Sequence, residues 1–245
     1  MTPNFIFDRE EERQRIDQFL AKRRPFLLYG PSGVGKTLLL RNALPPFRSV
    51  LYCEDSATIN VVFRSLARTL VRLQSPRAIK AFRNEDGITA KSAVSLKGIV
   101  MDALREGEYS IVLDHLKRPS YSFASAVREL PGWGSTPVSA VARSCHMEDT
   151  GFLQPLYSDR SQKCEIRNFD DATAGQFARE RIKHSRLSGT NINEFLDKVL
   201  EFSAGNPGAI IALIDMATCP KYRAEEHIKI SPLYIDFRMN GGVAR

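Results

Sequence analysis

The octapeptide GPSGVGKT, residues 30–37, stands between the apolar run Pro25-Phe26-Leu27-Leu28-Tyr29 and the leucine-rich stretch Thr37–Leu40. The run is short and does not alternate, as a strand buried on both faces should read, and the segment after it keeps helical spacing without Gly or Pro until Pro45. Strand, glycine-rich turn and helix in that order restrict the chain to an α/β architecture with a parallel sheet flanked by helices.

Each position of the octapeptide has a chemical reason. Gly30, Gly33 and Gly35 let the backbone fold tightly enough for successive N–H groups to converge on a β-phosphate, and the following helix adds its positive end. Pro31, Ser32 and Val34 complete the loop and Leu38 continues the helix, so the candidate nucleotide contacts run from Gly30 to Leu38. Lys36 supplies a point charge for β- and γ-oxygens. Thr37 offers a hydroxyl to Mg²⁺, whose octahedral shell is completed by phosphate oxygens, water and a distant carboxylate.

A chain of 245 residues holds one large α/β domain and a small helical one without needing disulfides. The four cysteines have no CxxC spacing and the four histidines are scattered, so reduced thiols and no metal cluster are expected. The opening MTPNFIFDREEERQRID lacks a signal-peptide core, and no apolar stretch approaches the roughly 20 residues that span a bilayer. The expectation is a soluble cytoplasmic protein. A formal charge of +7 is compatible with DNA or RNA as a partner, and equally with a basic solvated surface.

Along the chain, Asp8 to Lys22 reads as an amphipathic helix capped by Asp8, Ser49–Glu54 as a strand, and Thr58–Leu73 as a helix with Ile59, Val62, Phe63, Leu66 and Leu70 on one side. Residues 75–92, with Pro, Gly and many charges, read as a mobile excursion; its Arg77, Lys80, Arg83 and Lys91 either touch a polyanion or a neighbouring subunit, or are simply solvated. A helix over 93–105, a strand over 109–115, a helix over 122–130 and strands over 137–143 and 163–169 follow. After Asp170 three helical patterns, 171–186, 191–203 and 208–218, replace the strands. The expected division is a nucleotide-binding α/β domain over 1–169, a helical lid over 170–220 and a tail over 221–245, with a short strand at 233–237 or a docked segment.

Asp114 ends the apolar strand and so lies at the carboxyl edge of the sheet, where ligands bind in such folds; it is the expected outer partner for Mg²⁺. His115 follows it where many hydrolytic relatives have an acid. The imidazole either acts as a base towards water or only hydrogen-bonds, with Glu54, Asp55, Glu148 and Asp149 as substitutes near other strand ends, and slow hydrolysis is expected. Arg143 closes the neighbouring strand and either reaches a γ-phosphate or forms a surface ion pair. Arg160, in YSDR, is a candidate arginine finger for an adjacent protomer.

With FDREEE before the first strand, GPSGVGKT, the IVLDH strand, Arg143 and AGNPGAI at 204–210, the chain resembles the AAA+ and STAND group of P-loop ATPases, in particular short prokaryotic ATPases related to the origin-recognition and STAND branches. The resemblance covers about residues 5–218 and implies ATP as the nucleotide, with Mg²⁺. It also implies that a glycine-x-proline turn of the lid, here Gly205-Asn206-Pro207, sits against the nucleotide, which makes Pro207 a candidate contact. Two departures stand out: His115 replaces the second acid, and no arginine follows the turn. The implied function is a nucleotide-dependent switch or assembly motor, acting as a homo-oligomer, with a separately encoded effector, or on DNA. The alternative is a nucleotide-stabilised scaffold or DNA/protein-binding module with little turnover.

Overall fold

A computed structural model describes residues 7–130 and 136–242; residues 5 and 6 of the stretch carrying the resemblance lie outside the described residues. The chain forms two compact units, one of residues 10–29 and 37–165, the other of residues 7–9, 30–36 and 166–242.

The first unit is built on a sheet. In chain order it contains α1 (Glu10–Ala21), β1 (Leu27–Tyr29), α2 (Lys36–Ala43, from its second residue), β2 (Val50–Cys53), α3 (Ile59–Arg72), α4 (Pro76–Phe82), α5 (Glu85–Thr89), α6 (Ala93–Glu106), β3 (Ser110–Leu113), α7 (Tyr121–Arg128), β4 (Val138–Ala142), α8 (Met147–Thr150) and β5 (Lys163–Glu165). The strand order is β2-β3-β4-β1-β5 and every pairing is parallel, with Leu27 opposite both Ala140 and Lys163, and Leu113 opposite Cys53 and Ala140. All residues of β3 and β4 are buried, which is why those strands read as continuous apolar runs rather than alternating ones. From β1 the chain crosses to β2 at the far edge, returns through β3 and β4, and adds β5 on the other side of β1. Such a reversal opens a crevice at the carboxyl ends of the strands.

The amphipathic spacing of α3 does what its sequence demands: Val62, Phe63, Leu66, Ala67 and Leu70 are buried, and the Thr58 hydroxyl caps the helix by accepting from the Val61 N–H at 3.3 Å. Residues 75–92 are not a loop excursion. They form α4 and α5, started by Ser75 with Pro76 at the first helical position and by Asn84, whose Oδ1 accepts from the Gly87 N–H at 3.0 Å. Ala78, Phe82 and Ile88 bury these short helices in the sheet unit's core. Arg77 is held by Asp102 of α6 at 2.8 Å, whereas Lys80, Arg83 and Lys91 are exposed.

The second unit is mainly helical after residue 166: α9 (Asp171–Ser185), α10 (Ile192–Ser203), α11 (Pro207–Ala217), a hairpin of β6 (Arg223–Ala224) and β7 (His227–Ile228), and α12 (Ile230–Met239). Phe195, Val199, Ile210, Leu213 and Ile214 form its core. Residues 233–237 are helical, not a strand, and Leu233 and Phe237 are buried in that same core, one helical turn apart. The opening helix also starts later than its acidic run suggested, at Glu10, with Asp8 at a positive φ of 49°.

Candidate nucleotide site

Residues 30–36 of the phosphate loop belong to the second, mainly helical unit. Gly33 and Gly35 have φ of 79° and 98°, a region that L side chains rarely enter, so the loop's turn depends on glycine at both. Lys36 Nζ donates to the Gly30 and Pro31 carbonyls at 2.7 and 2.8 Å, laying the ammonium across the loop. Val34 is buried, whereas Pro31, Ser32 and Leu38 are exposed.

The loop is held from outside by the start of α11. Asn206 is fully buried; its Oδ1 caps α11 by accepting from the Ala209 N–H at 3.1 Å, and its Nδ2 donates to the Ser32 carbonyl at 2.9 Å. Two residues on, the Gly208 N–H donates to the Gly33 carbonyl at 3.0 Å. Both bonds end on loop carbonyls and leave the loop's N–H groups as its donors towards an anion. Pro207, the expected nucleotide contact, is buried at the first position of α11 between these two residues. The resemblance had set the Gly-Asn-Pro turn against the nucleotide; that its asparagine reaches a loop 174 positions away is a tertiary fact with no local signature.

Asn206 Nδ2 also donates to Asn168 Oδ1 at 3.1 Å, so the side chain makes three bonds, and Asn206→Asp keeps the cap while removing both donations. Aspartate is as good a helix cap but cannot donate to the Ser32 carbonyl. The expected result is a loss of about 1–3 kcal/mol in a urea denaturation series, from the carbonyl left unpaired and the new buried charge. An unchanged midpoint would mean that the cap alone matters.

The sheet unit carries the other set. Thr37, one residue into α2, donates its hydroxyl to Asp114 Oδ2 at 2.9 Å, across 77 positions of sequence. Asp114 is fully buried just past the carboxyl end of β3, and its Oδ1 accepts from the His115 N–H at 2.7 Å. Tyr52, on the adjacent strand β2, also donates to Asp114 Oδ2, at 2.6 Å. Burial first, then the hydrogen bond to Asp114 and its charge, hold the Tyr52 phenol well above its ordinary range, so it acts as a donor and not as a base. A hydroxyl beside a buried carboxylate is an all-oxygen donor pair that fits a hard cation such as Mg²⁺. Among the described residues no cluster of three or more His, Cys, Asp or Glu forms a metal site of its own. Sequence reading missed Tyr52; the register that sets it opposite Val112 would have been needed to find it.

The remaining candidates are placed as follows. His115 has a left-handed backbone, φ 54°, and a largely exposed ring whose Nε2 is 3.9 Å from Asp114 Oδ2. Arg143 follows β4 directly, on the strand next to Asp114's, and is exposed. Arg160 is exposed too, but it precedes β5 and so lies at the amino edge of the parallel sheet, the opposite end from Asp114. Glu54 is tied to Arg41 in an ion pair, and Asp55 accepts from the Ala57 N–H at 2.8 Å.

No family profile and no curated protein matches this sequence. Solved structures do. A Walker-type ATPase of Pyrococcus abyssi is 21% identical over 87% of this chain and 68% of that one, with a TM-score of 0.56. The ORC1 protein of Aeropyrum pernix, solved in complex with DNA, is 18% identical over 97% of this chain and 66% of its own, with a TM-score of 0.60. Cdc6p of Pyrobaculum aerophilum is 13% identical over 98% of this chain and 65% of its own, also with a TM-score of 0.60. The chain thus spans about two thirds of the length of each of these structures. At such identities the likeness speaks to architecture: the chain has the fold of the AAA+ P-loop ATPases, a parallel sheet with a helical C-terminal region, as the octapeptide and the strand order had indicated.

Proposed function

We propose that this chain binds ATP with Mg²⁺ and works as a nucleotide-dependent switch or assembly motor with slow intrinsic hydrolysis. The observation that carries the reading is the contact of Thr37 with Asp114: the residue that follows the phosphate-loop lysine meets a buried acid at the carboxyl edge of the sheet. By donating its proton to Asp114, the Thr37 hydroxyl keeps its lone pairs free for a cation. Magnesium, when bound, screens the β- and γ-oxygens. Lys36 exchanges its loop carbonyls for those oxygens, and the loop N–H groups orient the β-phosphate. Pro207 is assigned to the base side of the nucleotide, Arg143 to sensing the γ-phosphate, and Arg160 to the nucleotide of a neighbouring copy. His115, exposed and beside Asp114, is the candidate base for water, and the lack of a carboxylate in its place is the reason to expect slow turnover.

The proposed setting is the cytoplasm, in keeping with the finding that no helix among the described residues is long and apolar enough to cross a membrane. Partners by this reading are further copies of the chain or a separately encoded effector. DNA is a candidate from the net charge of +7 and from the DNA bound to the Aeropyrum ORC1 protein. The deciding experiment measures ATP turnover with Mg²⁺, with and without duplex DNA, and oligomer size by light scattering in the same samples. Turnover coupled to assembly supports the motor. Binding with neither turnover nor assembly removes it and leaves the second reading, a nucleotide-stabilised scaffold, which the replacement of the acid by His115 favours.

A further inference from the structure

We infer that Tyr52 is a positioning residue for the metal-binding acid, a role that rests on reading Asp114 as the outer partner of Mg²⁺. Three donors converge on the Asp114 carboxylate. The His115 N–H takes Oδ1 at 2.7 Å, while the hydroxyls of Thr37 and Tyr52 share Oδ2 at 2.9 and 2.6 Å. The backbone donor and Thr37 belong to the expected nucleotide machinery. Tyr52 does not: it comes from β2, the edge strand, and its ring helps to line an open cleft of about 330 Å³ against α3.

The position of Tyr52 decides what it can do. With Oδ1 held by the backbone, the carboxylate plane is set by what reaches Oδ2, and a phenol from the side fixes it more rigidly than Thr37 alone. Thr37 must present its oxygen to the metal and its proton to Oδ2 at once, so the direction of Oδ2 governs whether the threonine lone pairs face the cation. Tyr52 is itself placed by its strand, whose register sets it opposite Val112 of β3, the strand that leads into Asp114. Arg41, one turn after Thr37 on α2, pairs with Glu54 just past the end of β2.

The test uses the full chain, with the fluorescent analogue mant-ATP as the probe and MgCl₂ titrated against it, for wild type, Tyr52→Phe and Asp114→Asn. Tyr52→Phe removes one oxygen and keeps the ring. It is expected to raise the half-saturating Mg²⁺ concentration by about tenfold or more while nucleotide affinity in EDTA stays at the wild-type value, alongside the lowered melting temperature that loss of a donor to a buried carboxylate brings. A merely structural hydroxyl would lower the melting temperature and leave the Mg²⁺ midpoint in place, and that result overturns the inference. If Asp114→Asn moves the midpoint and Tyr52→Phe does not, Tyr52 alone is excluded. If neither moves it, the assignment of the metal to Asp114 fails and the role of Tyr52 fails with it.

Discussion

Lys36→Ala is expected to weaken ATP binding by at least about a hundredfold, measured by titration calorimetry, while the protein still unfolds in one cooperative transition. The magnitude follows from charge-assisted hydrogen bonds to β- and γ-oxygens, each worth about 1.5–3 kcal/mol, and from the equivalence of about 1.4 kcal/mol to a factor of ten. The small effect on stability follows from what Lys36 touches. Its ammonium is part-buried and rests on the Gly30 and Pro31 carbonyls of its own loop, outside both hydrophobic cores, so truncation removes loop contacts and no core packing. Lys36→Arg should rescue poorly, because a planar fork cannot replace a compact charge within a loop this tight. Near-normal affinity in Lys36→Ala would mean that nucleotide binds elsewhere or not at all.

Gly208→Ala is the second large effect, and it acts on a residue with no expected part in chemistry. A Cβ at this position would lie 2.9 Å from both the Cα and the carbonyl oxygen of Gly33, which is backbone and cannot rotate aside. Either α11 shifts or the loop does, and the Gly208 to Gly33 hydrogen bond stretches in both cases. Overpacking of this kind costs about 1–3 kcal/mol. The expected outcome is a lowered thermal midpoint together with a loss of nucleotide affinity of about tenfold, because the loop N–H groups no longer converge. A variant with normal affinity and a lowered midpoint would show that the loop keeps its shape without α11.

What was legible in the sequence was what local chemistry writes down. The octapeptide, the apolar runs that became β3 and β4, and the acid at the end of one of them are signals that span a few residues each. Two failures share a different cause. Residues 75–92 carry cap signals at Ser75 and Asn84, but α4 and α5 are too short to show a period, and their stability comes from Ala78, Phe82 and Ile88 entering a core built by other elements. For residues 233–237 the sequence left a short strand and a docked segment open; the segment is docked, with Leu233 and Phe237 in the helical core, and it is the strand alternative that fails. Tyr52 and Asn206 were invisible for a third reason. Each is ordinary where it stands in sequence, a strand tyrosine and a helix cap, and becomes part of the site only through a partner far along the chain, Asp114 or Ser32.

The way the phosphate loop is held also bears on how variants of this chain should be interpreted. A fragment that ends at residue 165 would retain the whole octapeptide with its strand and helix, yet it would lack Asn206 and Gly208, and its loop would keep only its glycines and its own internal bonds. The structural unit that shapes the loop is therefore discontinuous: residues 30–36 and the turn that opens α11 are joined by the Asn206 and Gly208 hydrogen bonds. On the proposed reading, substitutions in that turn belong among affinity mutations, and a chimera that exchanges the helical segment alone should be scored for loop geometry before it is scored for specificity.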